Sequence, residues 1–160
     1  MKLLIKFAFG MVIPAFIMVA GMTDSAFAQK ASDVDAVKAA NQAFYAALSA
    51  RDSGAMMKVW STKSDVRHIG PRNKEVDVGP EAIKKNIQEI FDASPELKVT
   101  PENVQVQISG STAWVTDIEN AQRKTKAGES LSGSNFGTSI FEKHGGKWLM
   151  VYHHASPVGK

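Results

Sequence analysis

The residues best suited to chemistry stand near the C-terminal end. Tyr152 and His154 lie within a run that a Gly145-Gly146 turn opens and Pro157 closes. A histidine titrates near neutral pH and can act as acid, base or hydrogen-bond donor. A tyrosine hydroxyl can donate to a ligand carbonyl. The branched and aromatic content between the turn and the proline predicts a β-strand. Alternation along a strand places Trp148, Met150, Tyr152 and His154 on one face and Leu149, Val151, His153 and Ala155 on the other. The first face is apolar with a polar far end, as a pocket wall would be. His154 is therefore the candidate acid or base, with Tyr152 and Trp148 as candidate ligand contacts. The alternatives are a structural histidine and a core tyrosine with its hydroxyl satisfied.

Asp117 is the candidate carboxylate partner. It interrupts the apolar run Ala113-Trp114-Val115-Thr116-Asp117-Ile118, and an inward aspartate near His154 would form an acid–base pair. Ala113, Val115, Asp117 and Glu119 share one face; Trp114, Thr116, Ile118 and Asn120 share the other. Both faces are mixed, so parity leaves the side open, and the general exposure of charged residues favours a surface or edge position. A metal site is not expected. His153 and His154 are adjacent and point to opposite faces of a strand, and His68 and His144 have no ligand spacing with them. No nucleophile elbow, phosphate loop or dinucleotide fingerprint occurs, and no cofactor is implied.

The elements that must position these residues follow from periodicity. Ser32 caps a helix whose apolar residues Val34, Val37, Phe44 and Leu48 recur at helical spacing to about Ala50. A short helix spans Ala55 to Trp60. Asp65 to Ile69 and Glu75 to Val78 read as a small hairpin around Gly70-Pro71. Gly79-Pro80 opens a third helix with the stripe Ile83, Ile87, Ile90 and Phe91, and Ser94-Pro95 ends it. The period then switches to two. Val104 to Ser109, Ala113 to Gln122, Leu131 to Lys143 and the final run predict an antiparallel meander. The expected class is α+β, three N-terminal helices packed on a strongly curved, mostly antiparallel sheet, with a cavity at its wide end.

The chain has 160 residues, enough for one domain, and a formal net charge of +3. Lys2 and Lys6, an uncharged apolar run from Phe7 to Met22, and Ala26-Phe27-Ala28 predict a signal peptide over residues 1–28, cleaved after Ala28. The apolar run is shorter than the ~20 residues of a membrane span. The expected product, residues 29–160, is periplasmic or secreted, with no stable membrane association. The chain has no cysteine, which excludes disulfides, thiolate metal sites and a lipid anchor. Arg123-Lys124-Thr125-Lys126 is the one basic cluster and reads as a solvated hairpin tip, so no nucleic-acid partner is expected.

With this order of elements, several motifs become familiar. They are Ala46-Ala47-Leu48-Ser49-Ala50-Arg51-Asp52, Gly79-Pro80-Glu81-Ala82-Ile83, Ser139-Ile140-Phe141, Gly146-Lys147-Trp148 and His154-Ala155-Ser156. From Val34 to Pro157 the chain resembles the SnoaL-like branch of the nuclear transport factor 2-like superfamily, and in particular the association domain of calcium/calmodulin-dependent kinase II. The resemblance implies a cone-shaped barrel and a homodimer through the outer sheet face. It places Asn135, Ser139 and Phe141 on a concave wall and Trp60 and His68 where the cone closes, with a core position the alternative for Trp60 and an exposed strand position the alternative for His68. It also implies an arginine in the association domain where this chain has Ser139, which argues against an acidic ligand. Family members include isomerases, cyclases and dehydratases as well as non-catalytic binding and assembly domains. The expectations are a small-molecule-binding protein with a mostly apolar pocket, a ketosteroid-isomerase-like or polyketide-cyclase-like enzyme using His154 with Asp117, or an assembly module.

Overall fold

The structure is a computed structural model and describes residues 22–159, with side-chain surroundings from Ala28 onward. Most of the expected signal peptide lies outside the described residues. Helix α1 spans Met22–Ala50 and carries through the expected cleavage junction, beginning ten residues before the expected Ser32 cap. Its buried stripe is Val37, Asn41, Phe44, Tyr45 and Ala47, the i, i+4, i+7, i+8 pattern of one helix face. Helix α2 (Ser53–Val59) starts at Asp52, whose side chain accepts from the Ala55 N–H. Helix α3 (Pro80–Ala93) buries Ile83, Ile87 and Phe91.

The strands are β1 (Arg67–Ile69), β2 (Asp77–Val78), β3 (Glu96–Ser109), β4 (Thr112–Lys124), β5 (Ser130–His144) and β6 (Lys147–Pro157). They form one six-stranded sheet in the order β2-β1-β6-β5-β4-β3. The last four strands are the expected meander, and β1 pairs antiparallel with β2 and parallel with β6. The edges β2 and β3 do not pair with each other, so the sheet is mixed and open, with α+β organisation. Pro101 sits on the edge strand β3, where its missing N–H leaves no ladder bond unmade. Among the described residues, no helix is long and apolar enough to cross a membrane.

One irregularity changes the face assignment of the final strand. Ile140 pairs with Tyr152 and Phe141 pairs with Met150, so Val151 has no partner on β5. This is a β-bulge, and one extra residue reverses the alternation beyond it. Trp148 and Met150 face the core as expected, but so do His153 and Ala155. Tyr152 and His154 turn to the opposite, half-exposed face. Strict alternation therefore puts the wrong histidine inside. The bulge occurs where β6 changes neighbours: Trp60 bridges Met150, the Ser61 N–H donates to the Met150 carbonyl at 2.8 Å, and β1 takes over from Tyr152.

The bulge makes a direct stability prediction. Met150→Ala should cost ~2–5 kcal/mol, as truncation of a fully buried methionine does. His154→Ala should stay within ~0.5 kcal/mol. Urea unfolding of the two variants checks this, and the reverse ranking would restore the uninterrupted strand.

Candidate functional site

Two spacings on two elements face each other. On α1, Asn41 and Tyr45 are four residues apart and share the buried stripe. On β4, Asp117 and Glu119 are two residues apart and share the inner sheet face. The Asn41 amide Nδ2 donates to Asp117 Oδ2 at 2.9 Å. The Tyr45 hydroxyl lies 2.9 Å from Asp117 Oδ1 and 2.9 Å from Glu119 Oε1. Gly137, directly opposite Asp117 on β5, makes room for both carboxyls: a Cβ there would overlap Asp117 Oδ1 and crowd Glu119.

A tyrosine hydroxyl has one hydrogen and cannot donate to two carboxylates at once. The two carboxyls share that one hydrogen, and their surroundings favour protonation at Asp117 over Glu119. Burial raises the Asp117 pKa, the neighbouring Glu119 charge adds to this, and the bonds from Asn41 and Tyr45 only partly offset them. Burial also pushes Glu119 up, but the hydrogen bond and charge of His153, with the Tyr45 bond, outweigh it and leave its pKa lowered. Tyr45 itself is held protonated, far above its usual range, by burial and then by the Glu119 and Asp117 charges. Two adjacent carboxyls are thus pushed in opposite directions, Asp117 towards its protonated form and Glu119 towards the carboxylate.

Two histidines complete the site. His153 Nε2 lies 3.3 Å from Glu119 Oε1, and Nδ1 lies 3.0 Å from the Ser139 hydroxyl. Its ring packs between Phe44, 4.6 Å away, and His68, 5.6 Å away and nearly parallel. His68 Nδ1 meets Asp77 Oδ2 at 2.9 Å, and Asn73 holds the same oxygen at 2.8 Å. Desolvation, then the His153 charge, lowers the His68 pKa from 6.5 to about 4 against the pull of Asp77. His68 is thus neutral near pH 7. Its Nδ1–H donates to Asp77, and Nε2 keeps a lone pair.

A cavity of about 360 Å³ opens in front of this cluster. Glu119, His68, His153 and Asn135 are on its wall, with Phe44 and Leu48 from α1, Ile87 and Ile90 from α3, and Leu97, Val99 and Leu131 from the sheet. Glu119 Oε1 is engaged by Tyr45 and His153, whereas Oε2 has no protein hydrogen bond among the described residues. Asn135 is paired with Glu119 across the β4–β5 ladder and stands beside it on the same face.

The structure brings together Asn135 and His68 from the sequence candidates, adjoining the site with Ser139 behind His153. Asp117 points inward, not to the surface, and lies behind Glu119 because α1 supplies donors for it. His154 and Tyr152 lie outside the cavity because of the Val151 bulge, so His154 and Asp117 do not form a pair. Trp60, Phe141 and Trp148 are core residues, not cavity-lining ones. The Trp60 ring packs edge-on against Phe44 and His68, and the Trp148 Nε1–H donates to Asp33 at 3.2 Å. Glu119, His153, Tyr45, Asn41 and Asp77 were not singled out by sequence. Their available signal was a polar residue inside an apolar helix stripe and an Asp-x-Glu pair continuing the face of Ala113 and Val115. Among the described residues, no group of three or more histidine, aspartate or glutamate side chains could hold a metal ion.

Comparison with known proteins now places the fold. The profile of the SnoaL-like domain matches residues 37–159. The chain belongs to the SnoaL-like domain family. A candidate dehydratase of the NTF2-like family from Streptomyces avermitilis superposes with a TM-score of 0.75 at 25% identity, over 81% of this chain and 99% of that one. A protein from Thiobacillus denitrificans, described as a candidate calcium/calmodulin-dependent protein kinase type II association domain, superposes with a TM-score of 0.64 at 27% identity, over 76% of this chain and 94% of that one. A ketosteroid isomerase-like protein from Erwinia carotovora atroseptica shares the fold, with a TM-score of 0.68 at 19% identity, over 79% of this chain and 96% of that one. The F-box protein SKIP8 of Arabidopsis thaliana is 28% identical over 122 residues, 76% of this chain and 49% of that protein, so the SnoaL-like chain spans about half the length of this curated relative. These neighbours confirm the α+β cone fold, and their descriptions span catalysis and assembly.

The His68 environment predicts a pH dependence. Between the unfolded pKa of 6.5 and the folded value of about 4, the unfolded chain binds the proton and the folded chain does not. Stability therefore rises with pH across that window, by roughly 3 kcal/mol at ~1.4 kcal/mol per pH unit. Asp117, with a raised pKa, contributes in the opposite sense: its stabilisation is present at low pH and is lost as pH rises through its folded value. Comparing wild type with His68→Asn isolates the histidine. The wild-type protein should lose about 3 kcal/mol more than the variant from pH 6.5 to 4 in denaturant unfolding. Parallel curves would mean that His68 is not held neutral.

Proposed function

We propose that this SnoaL-like domain binds a small, largely apolar carbonyl compound and moves a proton on it. The observation that carries this reading is the anchoring of Glu119. Tyr45 and His153 hold Oε1, which leaves Oε2 unpartnered on an apolar cavity wall. A base needs such a fixed position, within reach of the proton it removes.

In this reading Glu119 Oε2 takes a proton from carbon. The C–H electron pair moves into the ligand's π system, and the carbonyl oxygen becomes an enolate oxygen. The Asn135 amide, beside Glu119 on the next strand, is the donor available to that oxygen. Protonated Glu119 then returns the proton to a second carbon, so the step is an isomerisation with no net proton change. His68 Nε2 accepts from a ligand hydroxyl or a water. A carboxylate with a lowered pKa is a weak base, which restricts the substrate to activated C–H bonds, next to a carbonyl and conjugated with a double bond. Desolvation by an apolar ligand strengthens the base when the cavity fills. The 25%-identical neighbour described as a candidate dehydratase supports proton chemistry at carbon.

The test is deuterium uptake from D2O into a panel of β,γ-unsaturated ketones, read by mass spectrometry. Wild-type protein should catalyse exchange, and Glu119→Gln should lose ~10²-fold or more. Asn135→Ala should lower kcat more than it raises KM. No exchange with any member, while native mass spectrometry shows the same ketones bound, would leave a binding protein without catalysis.

Export and dimerisation complete the proposal. The basic, apolar and small-residue order of the first 28 residues supports export to the bacterial envelope. Trp114 and Phe136 are exposed on the outer sheet face, which supports pairing with a second copy through that face. Protein recovered from its native source should begin at Gln29 and sediment as a dimer, and Phe136→Glu should shift it to monomer. An N-terminus upstream of Gln29 would remove export with cleavage, and an unaltered monomer would remove the dimer.

A further inference from the structure

Two arginines stand at the end of the cavity away from Glu119. Arg123 is on the inner face of β4, opposite Leu97 on β3 and Leu131 on β5. The basic cluster read as a hairpin tip therefore divides: Lys126 is exposed in the turn, whereas Arg123 lines the cavity. Arg72 follows Gly70 and Pro71 in the turn after β1 and lines the same opening. Desolvation lowers the Arg72 pKa, and the Arg123 charge lowers it further, so the two guanidiniums stand close enough to repel. The lysine ion pairs among the described residues engage Lys63, Lys85, Lys124 and Lys143, and neither arginine belongs to an ion pair. Two like charges without a counter-ion, at the mouth of an apolar cavity, make a place for an anion.

The other end cannot take that anion, because Glu119 is there as a carboxylate. Glu119 and Arg123 are four residues apart on one strand, a separation of ~13 Å at ~3.3 Å per residue. Ala121 and Val99 lie on the wall between the charged ends, and Leu97 and Leu131 flank Arg123. We infer that the ligand is an amphiphilic carboxylic acid, its carboxylate held by Arg72 and Arg123, its apolar body along this wall, and its reactive carbon remote from the carboxylate at Glu119. This rests on the proposed reading of the cavity as a ligand site and adds the ligand's class and direction. A planar guanidinium pair suits a carboxylate because each fork can donate two parallel hydrogen bonds.

The test uses straight-chain carboxylic acids of six to ten carbons and the alcohols of matching length, titrated calorimetrically into the full protein. The best acid should bind about tenfold or more tightly than its matching alcohol, as charge-assisted bonds to arginine require. Arg123→Gln and Arg72→Gln should each remove most of that preference and leave alcohol binding unchanged, which also shows that the variants fold. Arg123→Lys should restore it only in part, and added salt should weaken the acid alone. Equal binding of acids and alcohols, or acid binding untouched by both arginine variants, overturns the inference and leaves the cavity as a ligand site. Failure of every acid and alcohol to bind also overturns the inference, and binding of the ketones by native mass spectrometry then decides separately whether the cavity is a ligand site.

Discussion

A sheet ladder can skip a residue on one strand only if the freed backbone groups find other partners, and β6 meets that condition at Val151. Met150 gives its carbonyl to the Ser61 N–H just before the extra residue, and β1 begins to pair just after it. The strand therefore changes neighbours and reverses its faces at one place. The position of the site's second histidine, His153, follows from that reversal. His153 enters the space between Phe44 and His68 and reaches Ser139 and Glu119 with its two ring nitrogens. Tyr152 and His154 are turned to the surface that also carries Trp114 and Phe136, through pairings with Ile140 and Thr138.

The carboxyl cluster imposes a second constraint, on docking between helix and sheet. Burying two acids side by side is unfavourable unless one is neutralised and the other receives donors. The donors come from α1 and the acids from β4, so neither element satisfies the cluster alone. A helix rotated or slid by one residue would withdraw Asn41 and Tyr45 together. The cluster thus fixes the register of α1 on the sheet more sharply than its apolar contacts do, since Val37, Phe44 and Ala47 would tolerate small shifts. Gly137 is the complementary requirement on the sheet side, because only a residue without Cβ leaves space above β5 for both carboxyls.

The sequence made the elements legible wherever a period was clean. The stripes of α1 and α3 and the alternation of β4 and β5 carried their own period. The strand β3 begins at Glu96, earlier than its alternation suggests, because Pro101 and a bulge near Asn103 break the pattern. The candidate site was legible only in part. The family resemblance puts Asn135 on the concave wall and His68 where the cone closes, but alternation selects His154 where the structure turns His153 inward. Nothing local marks Val151 as a bulge: it is a good strand residue without glycine or proline beside it, and its cause lies in Ser61, ninety residues upstream. Asp117 was undecidable for a similar reason. Its face depends on whether distant Asn41 and Tyr45 can satisfy it, which no strand periodicity contains.

The exchange of charge between the two ends of the cavity links the site to its neighbours. The resemblance to the kinase association domain places an arginine at the position occupied here by Ser139. In this fold that position is beside His153, which in turn reaches Glu119. Serine keeps the deep end negative and leaves a small hydroxyl to orient the histidine. Positive charge appears instead at the mouth, in Arg72 and Arg123, separated from Glu119 by apolar wall. A cavity arranged this way has a direction: a ligand with an anionic and a neutral end can lie in it one way only. A serine at the deep end and two arginines at the rim are then parts of one arrangement. In the proposed reading an acid binds only with its charge held away from Glu119.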